Sequence, residues 1–152
     1  MEISINEVKS PTEEVSHNTG LNSSEIGNLW SSYMAFSMLS CVAKSFYQNA
    51  DDKDIKSIIE FVLEVENSRI SKIIEIFHKE NMPIPIGFSD EDLDLKALRL
   101  YSDIYYLYYF KFMERFILPL HCRQLVTSTR SDVREFYFFM YSFIHEAFRK
   151  NK

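Results

Sequence analysis

Few residues in this chain combine a reactive type with a useful spacing. Glu75-Ile-Phe-His78 is a Glu-x-x-His, the i, i+3 pair that carboxylate-bridged iron and manganese centres use twice. Glu66 and Arg69 share that spacing, and both fall within an apolar stripe rather than opposite it. A carboxylate turned toward a core is costly unless it is paired or bound to a metal. The expectation is a buried polar pair, Glu66 with Arg69, and the candidates for metal ligation are Glu66, Glu75 and His78. His121 and Cys122 are adjacent, so they leave a helix in different directions and make no ready chelate. His145-Glu146 falls on a polar helical face. No Ser/His/Asp or Cys/His arrangement follows from spacing, and the chain has no glycine-rich phosphate loop. The acidic run Asp90-Glu-Asp-Leu-Asp94 lacks the alternation and the glycine of a calcium loop, and reads as a solvated loop with capping duty. The tyrosines between Tyr101 and Tyr109 have helical spacing, which suits core and interface better than a radical or stacking site. No residue is assigned a catalytic role.

The elements that must position these groups read as helices. The chain has 152 residues, 46% of them apolar and 15% aromatic, enough for one self-sufficient core. With only 3 Gly and 4 Pro, it is poor in the turns an all-β fold needs. Residues 1–20 are polar and aperiodic and read as a flexible tail, leaving 21–152 as a single domain. Asn22 and Glu25 have the spacing of a capping box before a first helix from Ser23 to about Asn49. After a short turn, with Asp51 as N-cap, a second helix carries the stripe Ile55, Ile58, Ile59, Val62, Val65, Ile70, Ile73, Ile76 and Phe77. Two helices joined so tightly are antiparallel neighbours.

Pro83 and Pro85 stop any helix from running through Asn81-Met-Pro-Ile-Pro-Ile-Gly87-Phe88, and Asn81 suits a left-handed helix end. Ser89 with Asp92 is a second capping signal. A third helix, from about Ser102 to Thr129 with Pro119 inside it, is apolar over most of its circumference. Its expected inward positions are Tyr106, Tyr109, Phe110, Met113, Ile117 and Leu120. Ser131 and Asp132 open a fourth helix that buries Val133, Phe136, Tyr137, Met140, Ile144 and Phe148. The connection between helices two and three is long enough to travel the length of a bundle. Those two helices are then parallel, and the expected fold is an all-α, ferritin-like four-helix bundle with one long crossover.

Several stretches carry a family resemblance: Leu21-Asn-Ser-Ser-Glu-Ile-Gly-Asn-Leu-Trp30, Glu75-Ile-Phe77, Pro83-Ile-Pro-Ile-Gly-Phe88 with Asp92, Arg99-Leu100 with Ser102-Asp103, and Arg130-Ser-Asp-Val-Arg134. In order and spacing, over roughly residues 21–150, the chain resembles an uncharacterised ferritin-like family of spore-forming Gram-positive bacteria. Members of that family usually carry two four-helix bundles in tandem. The resemblance implies fold and source rather than activity. This chain departs from it by holding one bundle, with a fourth helix that reads as cut short. It also has Phe36 where the resemblance implies an acid and Arg69 where it implies a histidine, and both departures weaken an inherited metal site.

The net charge of −5 disfavours nucleic acid and anionic membrane as partners. Cys41 and Cys122 have neither the number nor the spacing of a metal motif or a disulfide framework, and read as core filler. No apolar run approaches the ~20 residues that span a bilayer. The amino terminus has no apolar h-region. The expectation is a cytoplasmic, spore-associated chain that is non-catalytic, structural or interacting in role, and without a metal cofactor. A metal-dependent redox or storage protein holding iron or manganese stays open, as does an apolar small-molecule binder. Phe138 and Phe139 project from the polar side of the fourth helix. Together with the apolar third helix, they predict a homodimer built on helices three and four.

Overall fold

The computed structural model describes residues 19–150, with side chains as far as residue 140. Most of the expected N-terminal tail lies outside the described residues. So do the side chains of Ser142, Ile144, His145, Glu146, Phe148 and Arg149. Four helices make up the fold: α1 (Ser23–Asn49), α2 (Lys53–Lys79), α3 (Asp103–Thr127) and α4 (Ser131–Lys150). Among the described residues there is no strand, and a 3-10 turn at Asp90–Asp92 is the remaining regular element.

Local chemistry sets the ends of these helices. Asn22 Oδ1 accepts the Glu25 N–H at 2.9 Å, and Glu25 Oε2 accepts the Asn22 N–H at 3.0 Å, which completes the capping box of α1. At α2 the cap is Asp52 rather than the expected Asp51. Asp52 Oδ1 accepts from the N–H groups of Asp54 and Ile55, whereas Asp51 is drawn away by an ion pair with Arg99. Asn81 ends α2 in the left-handed region, with φ 52°. The Met82 N–H then reaches back to the Phe77 carbonyl at 3.0 Å. Ser89 and Asp92 cap each other across the 3-10 turn. Pro119 is accommodated within a continuous α3.

The contacts at the two ends of the bundle establish the connectivity. At one end Glu25, at the start of α1, bonds the backbone of Thr129 and Arg130 between α3 and α4. Arg130 in turn pairs with Glu80 at the close of α2. At the other end Asp103, which opens α3, accepts N–H bonds from Asp51 and Asp52 in the α1–α2 turn. Both α2 and α3 therefore run from the second end to the first, parallel to each other, as expected of a bundle with one long crossover. The crossover climbs along α1. The Phe88 N–H donates to Ser37 Oγ at 3.1 Å, the Cys41 thiol donates to the Ser89 carbonyl at 3.3 Å, and Lys44 pairs with Asp90.

Glu25 is the firmest of these ties. It is fully buried, and its two oxygens accept from three backbone N–H groups and the Thr129 hydroxyl. Burial alone would raise its pKa. The backbone bonds from Arg130, Asn22 and Thr129 outweigh that and hold the carboxyl below its ordinary range.

One expectation for α3 fails. Leu120 is 45% exposed, while His121 and Gln124 are buried in its place. The helix is rotated so that these two polar side chains meet partners on α1 and α4.

Gly87 marks where the crossover presses hardest on α1. A Cβ there would lie 2.6 Å from Tyr33 Cε1 and 2.7 Å from Ser37 Oγ. Gly87→Ala should therefore destabilise the fold by about 1–3 kcal/mol through overpacking, read from the urea midpoint. An unchanged midpoint would mean that the crossover is not seated on α1.

Candidate functional site: a polar layer at mid-bundle

Two apolar clusters fill the interior. One gathers Leu29, Phe36, Ile73, Phe77, Phe136 and Tyr137 near the α3–α4 turn. The other gathers Ala43, Phe46, Ile55, Ile59, Tyr106 and Phe110 near the α1–α2 turn. Between them α2 places Glu66 and Arg69, each only 2% exposed. Arg69 Nη1 donates to Glu66 Oε1 at 2.7 Å and stands 3.8 Å from Glu114 Oε1 on α3. Its guanidinium lies over the Phe36 ring of α1, 5.3 Å from the centroid.

The polar chain continues along α3. The His121 ring approaches the same Phe36 ring at 5.8 Å and Tyr137 of α4 at 5.9 Å. His121 Nδ1 is 3.0 Å from Gln124 Oε1, and Gln124 Nε2 donates to Ser32 Oγ at 3.4 Å. Because the Gln124 oxygen is the acceptor, Nδ1 carries the His121 proton and Nε2 is left as an acceptor. Ser32 and the Tyr137 hydroxyl share a bond of 3.2 Å. All four helices thus contribute polar side chains to the interior, in two hydrogen-bonded groups that both touch the Phe36 ring.

Electrostatics in this layer follow from its dryness. Burial pushes Glu66 up to about 7, against the attraction of Arg69 and with further upward pressure from Glu114. Burial raises Glu114 too, opposed by Arg69. His121 is held down to about 4 by burial, opposed by its bond to Gln124, with Arg69 lowering it further. An imidazole kept neutral, beside a permanent cation, cannot serve as a proton shuttle near neutral pH. Among the described residues, four buried side-chain atoms have no protein hydrogen-bond partner: Glu66 Oε2, Arg69 Nε, Arg69 Nη2 and His121 Nε2. Each carries a desolvation cost.

Of the candidates singled out from sequence, the structure assembles Glu66 with Arg69 and places Glu75 and His78 elsewhere. Glu75 is an exposed residue between Lys72 and Lys79, both within 2.8 Å, and bonds to these two lysines hold its carboxyl down at about 2. His78 is exposed near the end of α2. Among the described residues, no group of three or more His, Cys, Asp or Glu side chains is placed to hold a metal ion. Spacing alone did not reveal Ser32, Glu114, His121, Gln124 and Tyr137. Glu114 and His121 are seven residues apart, two turns on one face of α3, and that period was the available signal.

A second place for chemistry is a groove of about 460 Å3 under the crossover, lined by Ser37, Ser40, Cys41, Lys44, Phe88 and Glu91. Burial raises the Cys41 thiol above its ordinary value, partly opposed by Lys44. The thiol already donates to Ser89. A protonated, hydrogen-bonded thiol is no nucleophile.

Fold and interior together define an all-α four-helix bundle whose centre holds the buried, hydrogen-bonded pair of Glu66 and Arg69. The chain belongs to the family described as "Protein of unknown function (DUF3231)", whose model matches residues 10–151. Among solved structures it is similar to a candidate spore coat protein from Bacillus halodurans C-125. The two share 16% sequence identity with a TM-score of 0.75, over 84% of this chain and 83% of that one. At that identity the likeness shows the fold alone. No curated protein matches the chain.

Glu66→Gln removes one titration at nearly constant size. In the fold the native carboxyl holds its proton to about pH 7, against an ordinary value of 4.5. Across that window the folded state binds more protons than the unfolded one, so this group's stabilising contribution is lost as pH rises. Relative to the native chain, Glu66→Gln should therefore gain about 1–3 kcal/mol of stability between about pH 5 and pH 8. Urea midpoints of the two proteins at each pH give the answer. A gap that does not move with pH would show that Glu66 ionises as it does in water.

Proposed function

We propose that this chain is a non-catalytic structural or interaction protein of a spore-forming bacterium, working in the cytoplasm or on the spore. Its scaffold is a ferritin-like bundle whose centre has become part of the core. The observation that carries this reading is the place of Arg69. A carboxylate-bridged metal centre needs acidic and imidazole donors converging on a cation. Here the two converging carboxylates, Glu66 and Glu114, already face a fixed cation, bonded to the first and 3.8 Å from the second. A guanidinium stays charged at any physiological pH and repels a divalent ion placed beside it.

The other groups agree with that assignment. His121 has its proton on the nitrogen facing Gln124, Glu75 is claimed by two lysines, and the Cys41 thiol is held protonated. The positions where the chain departs from the resembled family, Phe36 and Arg69, lie against each other. The two departures therefore act as one exchange, in which an aromatic ring and a guanidinium take the room of a ligand set. The family match and the fold shared with a candidate spore coat protein support a spore-associated role. Among the described residues no helix is long and apolar enough to cross a membrane.

Elemental analysis of the chain, purified from a culture supplied with iron and manganese, tests the assignment. The expected result is no stoichiometric metal. About two ions per chain, as a di-metal centre requires, would overturn it.

A further inference from the structure

The outer face of α3 is built unlike the surface of a solitary bundle. Tyr105, Tyr108, Phe112 and Phe116 all point outward, and the last three are 67%, 67% and 72% exposed. At 3.6 residues per turn they lie within about 40° of the direction of Phe112, so they form one continuous stripe. Tyr101, just before the helix, extends the stripe by stacking on Tyr105 with ring centroids 4.1 Å apart. On α4, exposed Phe138 shares a surface groove with Val126 of α3, which lies about 40° from the direction of Phe112.

We propose that this stripe is a two-fold interface with a second copy of the same chain, centred on Phe112. Two observations select a second copy as the occupant. The first is area. Allowing about 200 Å2 for each aromatic side chain, Tyr101, the four aromatics of the stripe on α3 and Phe138 leave roughly 700 Å2 in solvent. That exceeds the few hundred Å2 usual for a monomer and approaches the ~800 Å2 each partner gives to a standard interface. The second is self-complementarity. Antiparallel pairing of α3 with its copy about Phe112 sets Tyr108 opposite Phe116 of the second copy and Tyr105 opposite Pro119. It also sets Tyr101 opposite Arg123. Pro119 and Arg123 fall within the same ~40° as the aromatics. Ring thus meets ring, ring meets proline, and a guanidinium meets a tyrosine face. Each contact occurs twice, as an isologous interface requires.

The proposal extends the scaffold reading by naming its partner. Its test reads mass and geometry rather than metal, so either can fail without the other. Light scattering of the full chain at micromolar concentration should give about 36 kDa, twice the 18.0 kDa of one chain. In a Cys122→Ser background, Phe112→Cys should form a disulfide-linked dimer under mild oxidation, because that position meets itself at the axis. Tyr108→Lys and Phe116→Glu should each weaken the dimer at least tenfold. The double variant should restore it, since the new lysine then faces the new glutamate across the interface. Tyr108, Phe112 and Phe116 are exposed, and an unchanged helical circular dichroism spectrum verifies that each variant still folds. A species that stays at 18.0 kDa overturns the proposal. So does a dimer that Phe112→Cys fails to cross-link, or a double variant no better than its parents. A monomer that co-sediments with vesicles of anionic phospholipid would give the face to a membrane and overturn it as well.

Discussion

A guanidinium at the centre of a helical bundle must find its partners where it stands, and Arg69 is only 2% exposed. Arg69 meets that constraint through contacts on three helices. Glu66 lies one turn earlier on α2, Glu114 stands across from it on α3, and the face of Phe36 comes from α1. The i, i+3 spacing lets α2 supply both members of the pair from one stripe, so the rotation of α2 and the depth of its insertion are set together. A buried ion pair is weak evidence for stability, since desolvation opposes the attraction. Its stronger consequence is specificity. A slide of α2 along α1 would carry the charge into one of the two apolar clusters on either side, where no carboxylate waits.

The ends of the molecule answer to a different constraint, the unpaired backbone groups of helix termini. Glu25 takes N–H groups from its own cap and from the α3–α4 turn, while Asp103 takes those of the α1–α2 turn. One carboxylate at each end thus joins the two helical hairpins, and neither is available for other chemistry. Between them the crossover is laid along α1 by contacts that climb from Ser37 to Cys41 to Lys44. This arrangement makes α2 and α3 parallel.

Most of the architecture was legible in the sequence because it rests on local chemistry. The Asn22–Glu25 box, the left-handed Asn81, the Ser89–Asp92 cap and the two prolines of the crossover each act within a few residues. The pairing of Glu66 with Arg69 was legible for the same reason. What could not be read depends on neighbours distant in sequence. Asp51 loses the α2 cap to Asp52 because Arg99, 48 residues on, holds its carboxylate. His121 and Gln124 turn inward, displacing Leu120, because Ser32 and Tyr137 wait on other helices. Apolar periodicity alone would always choose the leucine.

Arg69 and Glu66 act as one unit holding the middle of the bundle. A double-mutant cycle measures this directly, using Arg69→Met, Glu66→Gln and the double variant near pH 8, where the carboxylate is ionised. Arg69→Met alone should cost about 3–5 kcal/mol, because it strands a charge in the core. The double variant should recover part of that loss, with a coupling energy of about 1–3 kcal/mol. Losses that add to within about 0.5 kcal/mol would instead show two residues that act independently, with no shared tie at mid-bundle.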